Sequence, residues 1–277
     1  MVGMKKIASA QPWADRLARF GYMAKGAVYL LVGGLALAAA AGLGGKATDP
    51  SGALAMVART SIGRVALGVV APGLVAHATF CAALMLMGEP HADRGPVLRA
   101  IRKIGNAISA LIYFGLAATA TALSLGWGAL VHTDKDAETR HWSARVLAAP
   151  FGRPLLIAVA AVILIAAAVA LVRVFWPGDA RRRLRIEEMS ERQCKTVAAV
   201  GRIAFLSRAT VLAIIGYFLG WAAIDRAPRE ARGPGGALHA VWEHPHGDVL
   251  LAMMAGGLIA FGAYALFEAR WCRLFNR

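Results

Sequence analysis

Lys25 and Arg208 are cations inside apolar stretches, and they stand at matching places in two similar segments. Lys25 lies in Arg19-Phe20-Gly21-Tyr22-Met23-Ala24-Lys25-Gly26-Ala27-Val28-Tyr29, and Arg208 in Arg202-Ile203-Ala204-Phe205-Leu206-Ser207-Arg208-Ala209. A partly desolvated charge attracts an anion more strongly than the same charge in bulk water. The two cations, with Tyr22 and Tyr29 beside Lys25, therefore read as a site for an anionic headgroup or a small anionic solute. The competing expectation is that both sit near the cytoplasmic ends of their helices and snorkel to the headgroups, serving only the charge asymmetry of a membrane protein.

His77 is the other polar group deep in an apolar stretch, one turn beyond Pro72, and the corresponding positions later in the chain are Ala166 and Phe261. A neutral imidazole there could relay a proton or hydrogen-bond a ligand. Alternatively it is a structural histidine satisfied by a carbonyl such as the one Pro72 leaves without a donor. Arg173 and Glu268 occupy matching places in two further stretches and are expected to form an interhelix ion pair that sets registry. His239, His244 and His246 are weak candidates for a metal site, because they lack the i, i+4 helical spacing or the paired turns of known ligand sets. The expectation is no metal and no cofactor.

The elements that hold these residues are apolar blocks. A chain of 277 residues with 58% hydrophobic content and mean hydropathy +0.55 concentrates its apolar residues in six runs, at about 20–42, 65–87, 104–127, 153–176, 203–225 and 248–270. Each matches the roughly 20 residues needed to cross a bilayer core. The run ending in Leu35-Ala36-Leu37-Ala38-Ala39-Ala40-Ala41 is longer than a cleaved signal segment, and it is expected to remain as the first span.

The segment around Lys25 returns as Lys103-Ile104-Gly105-Asn106-Ala107-Ile108-Ser109-Ala110-Leu111-Ile112-Tyr113, with Ser109 at the Lys25 position, and again around Arg208. Connectors repeat too. Gly52-Ala53-Leu54 leads to Gly63-Arg64, Gly236-Ala237-Leu238 leads to Pro245-His246-Gly247, and the second ends Ala149-Pro150-Phe151-Gly152-Arg153. Short interfacial helices are expected over 53–60, 143–149 and 237–242. The fold class is thus all-α, a polytopic membrane protein of six transmembrane helices in three tandem helical hairpins, expected around a pseudo-threefold axis. The repeats divide at 1–100, 101–185 and 186–277.

The formal charge of +15 does not mark a nucleic-acid binder, because the basic residues lie between apolar blocks. The N-terminus, the two even connectors and the tail hold 18 Lys and Arg against 10 in the odd connectors. Both termini are therefore expected in the cytoplasm, with the chain in the plasma membrane. The stretch from Arg181 through Arg192 is expected to lie on the anionic leaflet. Cys81, Cys194 and Cys272 place no pair in an outer segment, so nothing here needs an oxidising compartment.

The Arg-Phe-Gly-Tyr opening, Lys25-Gly26, Tyr29, Gly33-Gly34 and the Gly-Ala-Leu connector resemble a bacterial membrane family known only as domain of unknown function number 1206. The resemblance implies six helices in three tandem pairs. It brings no substrate, cofactor or catalytic residue.

No hydrolase elbow, zinc-protease helix, Walker loop or dinucleotide fingerprint occurs, so an enzyme is the weakest class. The leading expectation is a non-enzymatic protein that binds membrane lipids or scaffolds a partner. The alternative is a small-solute or ion transporter with a site near His77. The residues between the hairpins discriminate: a polar cavity favours transport, and Leu, Val and Ala packing favours the structural reading.

Overall fold

The structure, a computed structural model, describes residues 11–43, 49–87, 96–128, 135–175, 189–225, 227, 230–243 and 245–271. Lys5, Lys6, Arg94, His132, the basic stretch 181–188, His244 and Cys272 lie outside these residues. Among the described residues the chain is helical with no strand: α1 Gln11–Ala40, α2 Pro50–Val57, α3 Ser61–Met87, α4 Pro96–Ser124, α5 Lys135–Ala148, α6 Gly152–Phe175, α7 Glu191–Ile224, α8 Pro234–Trp242 and α9 Gly247–Trp271. Six of them, α1, α3, α4, α6, α7 and α9, are long and apolar enough to cross a membrane. At 1.5 Å per residue the 34-residue α7 is about 51 Å long, well beyond a hydrocarbon core of about 30 Å. Its first turns, with the Ser190–Gln193 capping box, extend past the apolar region.

The most extensive helix packing runs between repeats: α3 on α4, α6 on α7, and α9 back on α1. Within repeats, α1 packs on α3 and α7 on α9, but no comparable packing joins α4 to α6. Among the described residues the helices therefore follow one another in space as α4, α3, α1, α9, α7, α6, an arc that is not closed between its ends.

The sequence explains both the close crossings and the missing one. In hydrocarbon, helices associate through close approach of small residues rather than hydrophobic burial. A Cβ added at Gly73 would lie 2.5 Å from Ala24 Cβ, and one added at Gly257 would lie 2.3 Å from Ser207 Cβ, so the first and third repeats cross at equivalent small pairs. The second repeat carries Val162 and Ile108 at these positions, and they are 49% and 47% exposed. Likewise Gly21 rests on the His77 backbone and Ala204 is buried beside Phe261, whereas nothing lies within 4 Å of a Cβ at Gly105. Two bulky β-branched residues stand where a close crossing needs small ones.

Each second span of a repeat starts at the same kind of turn. A Cβ at Gly63, Gly152 or Gly247 would fall 1.9, 1.6 or 1.9 Å from the carbonyl oxygen of Val57, Val146 or Trp242. Only glycine fits there. The connector helices α5 and α8 are longer than the interfacial segments expected, α2 is displaced toward the N-terminus of its own, and they do not merely lie on the surface. In α2, Asp49 caps the amides of Ser51 and Gly52, and Leu54 is fully buried against the bundle. In α8, the cap residue Gly233 has no side chain, and its N–H donates instead to Asp136 Oδ1 of α5 at 2.7 Å. A Cβ at Gly235 would lie 3.2 Å from the Asp49 nitrogen, so the three connectors converge at one end.

Candidate functional site

The half of the bundle beneath the connectors is filled with apolar side chains. Val32 and Ala36 of α1, Leu54 of α2, Ala120 of α4, Leu238 of α8 and Leu251 of α9 belong to one buried cluster. Toward the other end the filling changes to aromatic and charged groups contributed by α1, α3, α4, α7 and α9.

Lys25 is at its centre. It lies nine residues beyond Arg16, about 14 Å along the helix, and is only 8% exposed. The side chain is turned into the bundle, not toward the headgroups as snorkelling would require. Its Nζ stands 4.9 Å from the Phe261 ring centroid, 5.6 Å from that of Tyr22 and 6.0 Å from that of Tyr113. Glu268 and Arg208 are within electrostatic range, yet among the described residues no oxygen accepts a hydrogen bond from Nζ. Three cation–π contacts of about 0.5–2 kcal/mol each do not replace the water shell of an ammonium group. Among the described residues the three donors of Lys25 meet rings rather than hydrogen-bond acceptors.

Arg208 shares the Phe261 ring, its Cζ 5.5 Å from the centroid, but its side chain is exposed. It is also within electrostatic range of Tyr113 across the arc on α4. Tyr113 in turn is within side-chain hydrogen-bonding reach of Tyr29. Tyr29 packs edge-on against Phe261, with centroids 4.6 Å apart. The backbone of each of these positions belongs to a regular helix, and the 4-residue spacing from Lys25 to Tyr29 puts both on one face of α1.

His77 is 3% exposed and is held edge-on by two rings, Tyr113 at 4.5 Å and Tyr22 at 5.0 Å between centroids. Its Nε2 lies 3.8 Å from Cys81 Sγ, one turn on. Its Nδ1 is buried with no hydrogen-bond partner, so the carbonyl freed by Pro72 does not satisfy it. An unpaired buried polar atom costs about 1–3 kcal/mol and calls for an explanation.

The structure thus brings Lys25, Arg208, His77, Tyr22 and Tyr29 together. Sequence reading did not single out Phe261 as a site residue, though its place as the third-repeat equivalent of His77 was visible. The sequence marks Tyr113 only as the second-repeat equivalent of Tyr29. Glu268 is buried and within electrostatic range of Lys25, while the Arg173 side chain lies outside the described residues, and α6 and α9 have α7 between them in the arc. The histidines near the connectors are elsewhere. His239 Nδ1 is 3.2 Å from Glu243 Oε1, and His246 occupies a turn with φ of 65°. Among the described residues no three potential metal ligands cluster.

Fold and sequence together define an all-helical membrane protein with six candidate spans and internal threefold repetition. The family model described as "Domain of Unknown Function (DUF1206)" matches residues 20–84, 104–176 and 203–272, so the chain belongs to that family. It is 32% identical over 269 residues to "Uncharacterized protein YxxB" of Bacillus subtilis (strain 168), covering 96% of this chain and 94% of that protein. No solved structure matches.

Proposed function

We propose that this protein is a non-enzymatic binding protein of the bacterial inner membrane that holds an anionic headgroup at Lys25. Both termini face the cytoplasm, and the connectors face outward, a reading supported by the Lys and Arg excess near the even connectors and the termini. The observation that carries the binding reading is the buried Lys25 ammonium, which is surrounded by rings and finds no oxygen acceptor among the described residues. Arg208 and the unpaired His77 Nδ1 add two more donors nearby, the latter when that nitrogen carries the proton.

The apolar filling beneath the connectors favours one-sided binding over permeation, because Leu, Val and Ala side chains offer an ion nothing to replace its hydration shell. The cyclic pairing of α3 with α4, α6 with α7 and α9 with α1 supports three units around a pseudo-threefold axis, interrupted in the second repeat.

The test is thermal unfolding of purified protein in neutral detergent with added phosphatidylglycerol or phosphatidylcholine. Phosphatidylglycerol raises the melting temperature of the wild type and not of Lys25→Met. Equal shifts for both lipids, or an unchanged shift in the variant, would remove Lys25 as the binding group. Passage of a solute through reconstituted liposomes that His77→Ala abolishes would favour the transport reading.

A further inference from the structure

We infer that the anionic group at Lys25 is carried by a membrane lipid that enters laterally between α4 and α6, with an acyl chain lying along Ile108, Ile112 and Val162. This rests on the headgroup-binding reading above and adds the lipid's route and the seat of its acyl chain. Two independent observations meet here. One is the charged site: Lys25 with no oxygen partner among the described residues, Arg208 beside it and His77 Nδ1 unpaired. The other is the interrupted arc, since α4 and α6 lack the packing that closes the other repeats.

Pseudo-equivalence fixes which faces bound the interruption. Ile108 stands where Ala24 and Ser207 meet the partner helix, and Val162 stands where Gly73 and Gly257 do, so these residues lie on the faces that would cross. Both are exposed, as is Ile112 one turn from Ile108. Arg208 connects the two features. It is exposed, it reaches Phe261 inside the arc, and it is within electrostatic range of Tyr113 on α4.

A free anion has no favourable interaction with Ile108 and Val162. A lipid does, because its chain meets apolar side chains while its charge meets donors. The second repeat has also lost its own cation, with Ser109 at the Lys25 position, so the two remaining cations are those bordering the interior. The combination of one open crossing and two cations suits a single amphiphile better than a threefold set of ions.

The experiment uses the full chain in nanodiscs containing phosphatidylglycerol with a photoreactive diazirine midway along one acyl chain. After irradiation, labelled peptides are mapped by mass spectrometry. The expected labels fall on α4 around Ile108 and on α6 around Val162, and they drop about tenfold in Lys25→Met, the size expected for losing a hydrogen bond to a charged group. Lys25→Arg restores them. The double variant Ile108→Ala, Val162→Gly, which reinstates the small pair of the other repeats, also lowers them while leaving the fold intact by circular dichroism.

Labels spread over the outer faces of the bundle and indifferent to the double variant overturn the lateral route. If the melting shift still depends on Lys25 in that case, the headgroup site stands without the route. If neither measurement depends on Lys25, both readings fall. Stabilisation by inorganic phosphate equal to that by phosphatidylglycerol assigns the site to a free anion and overturns the lipid.

Discussion

Lys25 and Arg208 share one aromatic ring: the Lys25 Nζ is 4.9 Å from the Phe261 centroid and the Arg208 Cζ 5.5 Å from it. Phe261 is the third-repeat equivalent of His77, so one repeat presents a ring to the cations where another presents an imidazole. Removing the ring by Phe261→Leu weakens phosphatidylglycerol binding by about 1 kcal/mol or more through loss of cation–π positioning, and Phe261→Trp preserves it. Lipid titrations followed by thermal unfolding measure the difference.

His77→Phe copies the third-repeat residue into the first. It deletes a buried nitrogen with no partner and keeps a ring between Tyr22 and Tyr113. In lipid-free detergent the variant is more stable than wild type by about 1–2 kcal/mol, and its response to phosphatidylglycerol is smaller. A loss of stability would show that Nδ1 is satisfied in the protein.

Glu268 is a buried carboxylate near Lys25 and opposes an incoming anion. Glu268→Gln keeps the shape and removes the charge. Phosphatidylglycerol affinity rises by roughly 1 kcal/mol at the effective dielectric of a partly buried site, and the gain disappears in the Lys25→Met background.

The connector end gives predictions that do not depend on any ligand. Asp136→Ala removes the acceptor for the Gly233 amide and costs about 1 kcal/mol of stability, as does Asp49→Ala at its own helix start. Gly63→Ala places a methyl group against the Val57 carbonyl and costs more than about 1–3 kcal/mol, whereas Gly34→Ala, with nothing within 4 Å, is neutral or mildly stabilising. Melting temperatures of the purified variants rank them.

Orientation is checked by cysteine labelling in a background lacking native cysteines. Ser51 is a poor reporter because it is buried with its amide held by Asp49, so Arg59 and Phe151, exposed at two connector turns, are the positions to use. Both are labelled by an impermeant reagent on intact cells if the termini are cytoplasmic. Labelling only after permeabilisation reverses the topology.

The spans were legible because uninterrupted apolar length is a one-dimensional property, and the helices found differ from the expected limits mainly at their polar ends. The glycine turn before each second span was legible as a repeated Gly-Arg or Gly-Asp after a connector, since its cause is local backbone crowding. The interruption between α4 and α6 was not anticipated, although Ile108 and Val162 were in view, because it emerges only when both sides of a crossing are set against the other repeats. Nor was the inward turn of Lys25. Sequence depth says how far a side chain is from the headgroups but not which face of the helix meets a neighbour, and that face is set by Gly26 and Gly33 packing against α9. The Asp136 cap joins residues 97 apart, and no local pattern announces it.

The account stands most directly on what the Lys25 ammonium touches. An experimental structure in nanodiscs rich in phosphatidylglycerol should show a phosphate-sized feature about 2.8 Å from Nζ, with Arg208 turned toward it and chain density running out between α4 and α6. Lys25 in a direct salt bridge with Glu268, within an axis packed dry from end to end, would contradict it.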